Sequence, residues 1–111
     1  MIEETVRAFL AGQLDVPALL ELPPHPPEAF VLVEKTGGYV ENGLRHATLA
    51  VQSYGPRLLE AARLNDTLKD CMEDLALQDD ICRVELNSDY NFTDTENKRY
   101  RYQAVFDIIY Y

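Results

Sequence analysis

Two spacings of apolar residues divide this chain into its elements. Ile2, Val6, Phe9 and Leu10 recur at helical spacing, with Glu3 and Glu4 in the first turn, where the helix dipole favours acids. They predict a short helix over residues 2–11, with Gly12 as its stop. Residues 16–22, VPALLEL, are apolar without a clear period, and Pro17 restricts them to an edge strand or an extended arm. The run AFVLVEK (29–35) is rich in β-branched residues and predicts a strand. TGGYVENG (36–43) reads as a turn cluster, since Gly37-Gly38 and Asn42-Gly43 both accept positive φ. A second strand follows over 44–54, with Leu49 and Val51 on its apolar face and His46, Thr48 and Gln52 on the other. Together the two strands predict an antiparallel hairpin.

The period then changes. Over residues 56–77, Ala61, Leu64, Leu68, Cys71, Met72 and Leu75 fall three and four apart, with Leu58 one turn earlier, and Pro56 takes the first helical position. The opposite face carries Asp66, Asp70, Glu73 and Asp74, a solvated acidic stripe. Strict alternation returns in residues 81–90 and again after Lys98. In the last strand Tyr100, Tyr102, Ala104, Phe106, Ile108 and Tyr110 share one face. Arg99, Arg101, Gln103 and Asp107 share the other, interrupted by Val105 and Ile109. Between these strands lies the polar loop DYNFTDTEN (89–97).

This order predicts an α+β fold: a mostly antiparallel sheet of four to five strands packed against one long and one short helix. The long helix covers the inward faces of the strands, leaving the second face and the edges free. With 111 residues the chain fits one domain. Within it, residues 1–22 are an N-terminal helix and arm, 23–28 a proline-rich connector containing PPHPP, and 29–111 the core. Prolines stiffen the connector by fixing φ, and His25 within it reads as exposed and inert.

Charge narrows the function. A net charge of −9 argues against sequence-independent DNA binding, which rests on Lys and Arg meeting phosphates. No apolar run approaches the roughly 20 residues a membrane span needs, and the acidic N-terminus does not read as an export signal. Cys71 and Cys82 lack C-x-x-C spacing and nearby histidines, so they read as apolar packing in a reducing compartment.

Candidate chemistry is sparse. No spacing selects a nucleophile with its base, a phosphate loop or a cofactor site. Asp89, Asn91 and Thr93 fall at the first, third and fifth positions of a calcium loop, but Asp94 stands where glycine is required and Tyr100 where the bidentate glutamate belongs. The loop therefore reads as a hairpin connection with Asp and Asn supplying its turns. Lys98, Arg99 and Arg101 are the only basic cluster, expected to pair with cross-strand acids such as Glu85, or else with an acidic patch on a neighbouring subunit.

The segment LNSDYNFTDTENKRYRYQAVFDIIYY resembles the C-terminal hairpin of tail-terminator (tail-completion) proteins of long-tailed bacteriophages and prophages. FVLVEKTGG and ATLAVQSYGPRLLEAARLNDTLKDCM are similar to the middle of the same proteins, so the resemblance covers most of the chain. It implies a non-enzymatic structural protein without cofactor or metal, assembled in the host cytoplasm and located in the virion at the head-proximal end of the tail. There a ring of copies, typically a hexamer, would cap the tail tube, stop its polymerisation and bind the head–tail connector protein, with DNA passing through unbound. On this reading Asp89, Asn91, Asp94 and Glu96 line the lumen or meet the tube, and Arg99, Arg101 and Tyr111 form subunit contacts. The alternatives are another head–tail neck or connector protein and a small intracellular ligand-binding module with its site at the hairpin loop.

Overall fold

A computed structural model describes all 111 residues. The elements are α1 (Ile2–Gln13), β1 (Ala18–Leu19), β2 (Phe30–Glu41), β3 (Leu44–Gly55), α2 (Leu58–Leu75), β4 (Ile81–Asn91) and β5 (Tyr100–Tyr110). The five strands form one sheet in the order β1-β2-β3-β5-β4, an α+β architecture. All pairings are antiparallel except β1–β2.

β5 is an interior strand, between β3 and β4, and its apolar side chains serve the core. Ala104, Phe106 and Ile108 are buried on the face that α2 covers, beside Ala47, Leu49 and Val51 of β3. From α2, Leu68, Met72 and Leu75 complete that layer. From α1, Ile2, Val6 and Leu10 join it, so the N-terminal helix is part of the same core. Both helices lie on one side of the sheet.

Several boundaries differ from expectation. α1 runs through Gly12 and ends where the Leu14 N–H donates to the Leu10 carbonyl at 2.8 Å, because Leu14 is itself a core residue. The VPALLEL segment forms the short edge strand β1, paired with Val31 and Leu32. Gly37 and Gly38 do not turn the chain. They lie inside β2, which must reach Glu41 to pair the whole of β3, with a bulge between Lys35 and Gly37. The turn is Asn42-Gly43 alone, both at positive φ (52° and 77°), the signature of a two-residue hairpin whose twist matches its strands. Pro56 precedes α2, and Arg57 is its extended N-cap. Leu58 is 40% exposed and stands outside the core. Gly55 allows the close return onto the helix: a Cβ there would sit 2.7 Å from the Ala61 nitrogen. Only one of the two thiols is packed. Cys71 is half-buried against the core, whereas Cys82 is exposed at a bulge in β4.

Candidate functional site

The bare face of the sheet is ordered by its own side chains. Alternation and register place Tyr54, Gln52, Ala50, Thr48 and His46 of β3 opposite Arg101, Gln103, Val105, Asp107 and Ile109 of β5. A directional chain of hydrogen bonds crosses it. Arg101 Nη1 donates to Tyr54 Oη (3.1 Å), and Tyr54 Oη donates to Gln52 Oε1 (2.8 Å). Gln52 Nε2 donates to Gln103 Oε1 (3.0 Å), and Gln103 Nε2 donates to Tyr90 Oη (2.5 Å). Each acceptor in the chain thus receives a donor. Phe30 stacks on Tyr54 with centroids 4.4 Å apart, and Tyr90 meets Phe92 edge-on at 5.9 Å. Though no helix covers this face, Gln52 and Tyr54 are only 7% and 5% exposed.

At its other end the face forms a groove of about 270 Å³. Thr48 Oγ1 donates to Asp107 Oδ1 (3.1 Å), and Asn87, swung across by a β4 bulge, donates to Asp107 Oδ2 (3.1 Å). Arg83 and Glu85 form an ion pair beside them. Tyr39 and His46 stack at 4.3 Å on the opposite wall.

The terminal hairpin separates the residues expected to act together. β4 extends to Asn91, so Asp89 and Asn91 stand in the strand and not in the loop. Asp89 turns toward α2, where it accepts from Asn65 Nδ2 (3.2 Å) and Lys69 Nζ (3.3 Å). Burial pulls the Lys69 ammonium down, but Asp89 and Asp66 outweigh it and leave its pKa raised. Asn91 Oδ1 accepts from the Thr93 N–H (3.0 Å) and hydroxyl (2.6 Å), an Asx turn that starts the connection. Asp94 closes it. Its backbone exchanges two hydrogen bonds with Arg99, and its carboxylate accepts from Asn97 Nδ2 (2.8 Å) and the Asn97 and Glu96 N–H groups (3.2 and 3.1 Å). The Asn97 side chain and backbone, then Glu96 and the Arg101 charge, hold the Asp94 carboxyl below its ordinary value. The side chain of Glu96 is exposed at the tip.

The basic cluster does not pair with Glu85, which is taken by Arg83. Arg101 is engaged inside its own chain: Nε donates to the Phe92 carbonyl (2.7 Å), and the guanidinium lies 4.5 Å above the Phe92 ring. Arg99 lines a second cavity of about 200 Å³ between the proline connector and the Phe30–Tyr54 stack, and its Nη1 is buried without a partner. Tyr111 stands at the opposite end of β5. Its N–H donates to the Asp80 carbonyl (3.1 Å), and its phenol, next to the Cys82 thiol, has a raised pKa. Tyr111 therefore cannot meet Arg99 or Arg101 within one chain.

No three His, Cys, Asp or Glu side chains converge to hold a metal. The bare face instead offers aromatic rings and ordered donors and acceptors, the chemistry of surface recognition. Its central pair, Gln52 and Gln103, was visible in sequence only as two residues on non-apolar faces; the register that joins them was not.

No protein-family model and no curated protein matches the chain.

Proposed function

We propose that this chain is a tail terminator: a subunit of a ring, probing no substrate, that caps the head-proximal end of a phage tail tube and joins it to the head connector. The observation that carries the reading is the bare, pre-ordered face of the sheet between two unlike edges. A ring requires two different patches on each subunit, joined head to tail. One edge offers the free side of β2 beyond its two-residue pairing with β1, with Tyr39 and Val40 61% and 70% exposed. The other edge is β4, kinked by bulges at Cys82 and Asn87, which discourages open-ended strand addition. Rigid, pre-ordered side chains lower the entropy cost of association.

The hairpin tip suits a DNA passage. Asp94 and Glu96 present carboxylates that repel phosphates, and Asn91 shapes the turn that carries them. Asp89, neutralised by Lys69, contributes to the hairpin's seat on α2 and not to that tip. The test is tube growth followed by sedimentation. Added to growing tube protein, the chain should halt elongation at substoichiometric amounts; unchanged growth would overturn the reading.

A further inference from the structure

The cavity at Arg99 has a complement elsewhere on the same molecule. It is walled by the connector's prolines, Phe30, Tyr54 and Tyr100, and edged by Glu28, Lys98 and Arg99. Neither Lys98 nor Arg99 forms an ion pair, although Glu28 lines the same space. Arg99 Nη1 is buried without a hydrogen-bond partner, so the guanidinium charge at the pocket wall is uncompensated within the chain. Lys98 is also held at φ 53°, a left-handed conformation uncommon outside glycine, asparagine and aspartate. The pocket thus combines apolar walls with unused positive charge.

The matching feature is the turn after α2. Leu77 is 79% exposed there, and Asp74, Asp79 and Asp80 surround it in sequence, all exposed. The turn is rigid. Leu77 N–H donates to the Asp74 carbonyl (3.0 Å), Gln78 N–H to Leu75 (3.1 Å) and Ile81 N–H to Gln78 (3.1 Å). It presents an exposed apolar side chain on a turn that also carries three exposed carboxylates, opposite in charge to the pocket and like it in apolar character.

A single chain cannot join the two. Gly55 pairs with Tyr100 at the pocket end of the sheet, and Ile81 pairs with Tyr110 at the knob end. The eleven residues of β5 between them span about 35 Å. The eighteen residues of α2 cover about 27 Å of the same interval. We infer that the Leu77 knob of one copy docks in the Arg99 pocket of the next, its Asp79 or Asp80 carboxylate meeting the Lys98 ammonium and the Arg99 guanidinium at the pocket edge. The contact joins unlike patches, so it propagates head to tail and closes only if the rotation per copy closes. It rests on the ring reading only in that it supplies that ring's subunit contact.

A zero-length carbodiimide crosslink tests it on the full-length protein, with equal amounts of ¹⁵N-labelled and unlabelled chains at millimolar concentration. The expected product is a mixed-isotope peptide linking Lys98 to Asp79 or Asp80. Arg99→Glu should weaken self-association at least tenfold by sedimentation, and adding Asp79→Arg and Asp80→Arg to it should restore association. A chain that stays monomeric, or that associates without this crosslink, overturns the contact. Tube capping separates this from the function. Tubes that halt without the crosslink remove the contact and keep the terminator reading. The crosslink together with unchecked tubes keeps the contact and removes that reading.

Discussion

Gln52 and Gln103 face each other at the centre of the bare sheet face, the Gln52 Nε2 donating to Gln103 Oε1 at 3.0 Å. The pair links the Arg101–Tyr54 arm of the hydrogen-bond chain to Tyr90. Gln52→Ala strands two partners at once, the Tyr54 hydroxyl and Gln103 Oε1. Because Gln52 is nearly buried, we predict a loss of about 1–3 kcal/mol in urea unfolding with an unchanged m value. A loss no larger than that of an exposed control such as Gln78→Ala would mean that the ladder orders the face without stabilising it.

β5 is interior to the sheet, with β3 on one side and β4 on the other, and Ile108 is 1% exposed. Deleting residues 108–111 removes that side chain and the pairing of Ala47 and Val84 with it. The truncated chain should lose its cooperative thermal transition. A variant that keeps its melting temperature would show that these residues are a trimmed tail and not part of the core.

Asn65 is 1% exposed in α2 and donates to the carboxylate of Asp89. Asn65→Asp would set a second carboxylate against the first in a site where Lys69 supplies the positive charge and already pairs with Asp66. We expect it to cost at least about 2 kcal/mol at pH 7, with part of the loss recovered on acidification. A neutral result at pH 7 would mean that the β4–α2 seat is solvated.

Asp94 governs the hairpin tip through its hydrogen bonds. Its folded pKa is depressed by the Asn97 side chain, so its contribution is complete above the ordinary aspartate range and is lost as pH falls through the lowered folded value. In an NMR titration its carboxyl should titrate below the ordinary aspartate range. Asp94→Ala should speed hydrogen exchange of the Glu96 and Asn97 amides while leaving β5 protected. An Asp94 carboxyl that titrates within the ordinary aspartate range would refute the assignment.

The two thiols should differ in reactivity. Cys82 is exposed, whereas Cys71 is half-buried and its thiol pKa is raised by desolvation and by Asp74 and Asp70. Iodoacetamide at pH 8 should label Cys82 at least tenfold faster, followed by peptide mass spectrometry. Equal rates would place Cys71 at the surface.

How far the sequence reached depends on whether a local pattern or a distant partner decides each feature. β5 was legible because Ala104, Phe106 and Ile108 recur at every second position although Val105 and Ile109 interrupt the opposite face, and α2 because Leu68, Met72 and Leu75 repeat at helical spacing. Gly37-Gly38 misled because local turn chemistry yields to cross-strand pairing once β3 is long enough to demand a partner. Gly12 misled because burial of Leu14 carries α1 past it. Asp89 and Arg101 share the terminal segment with Asp94 and Glu96, but their partners, Lys69 and Tyr54, are remote in sequence. Register sets those partners, and no spacing within the segment discloses it.

The terminator role proposed above requires copies of this chain to close a tail tube. Negative-stain electron microscopy of tube protein polymerised with the purified chain tests it most directly. The expected result is tubes of arrested length, each carrying extra ring-shaped density at one end only. Tubes that elongate as they do without the chain, with bare ends, would contradict it.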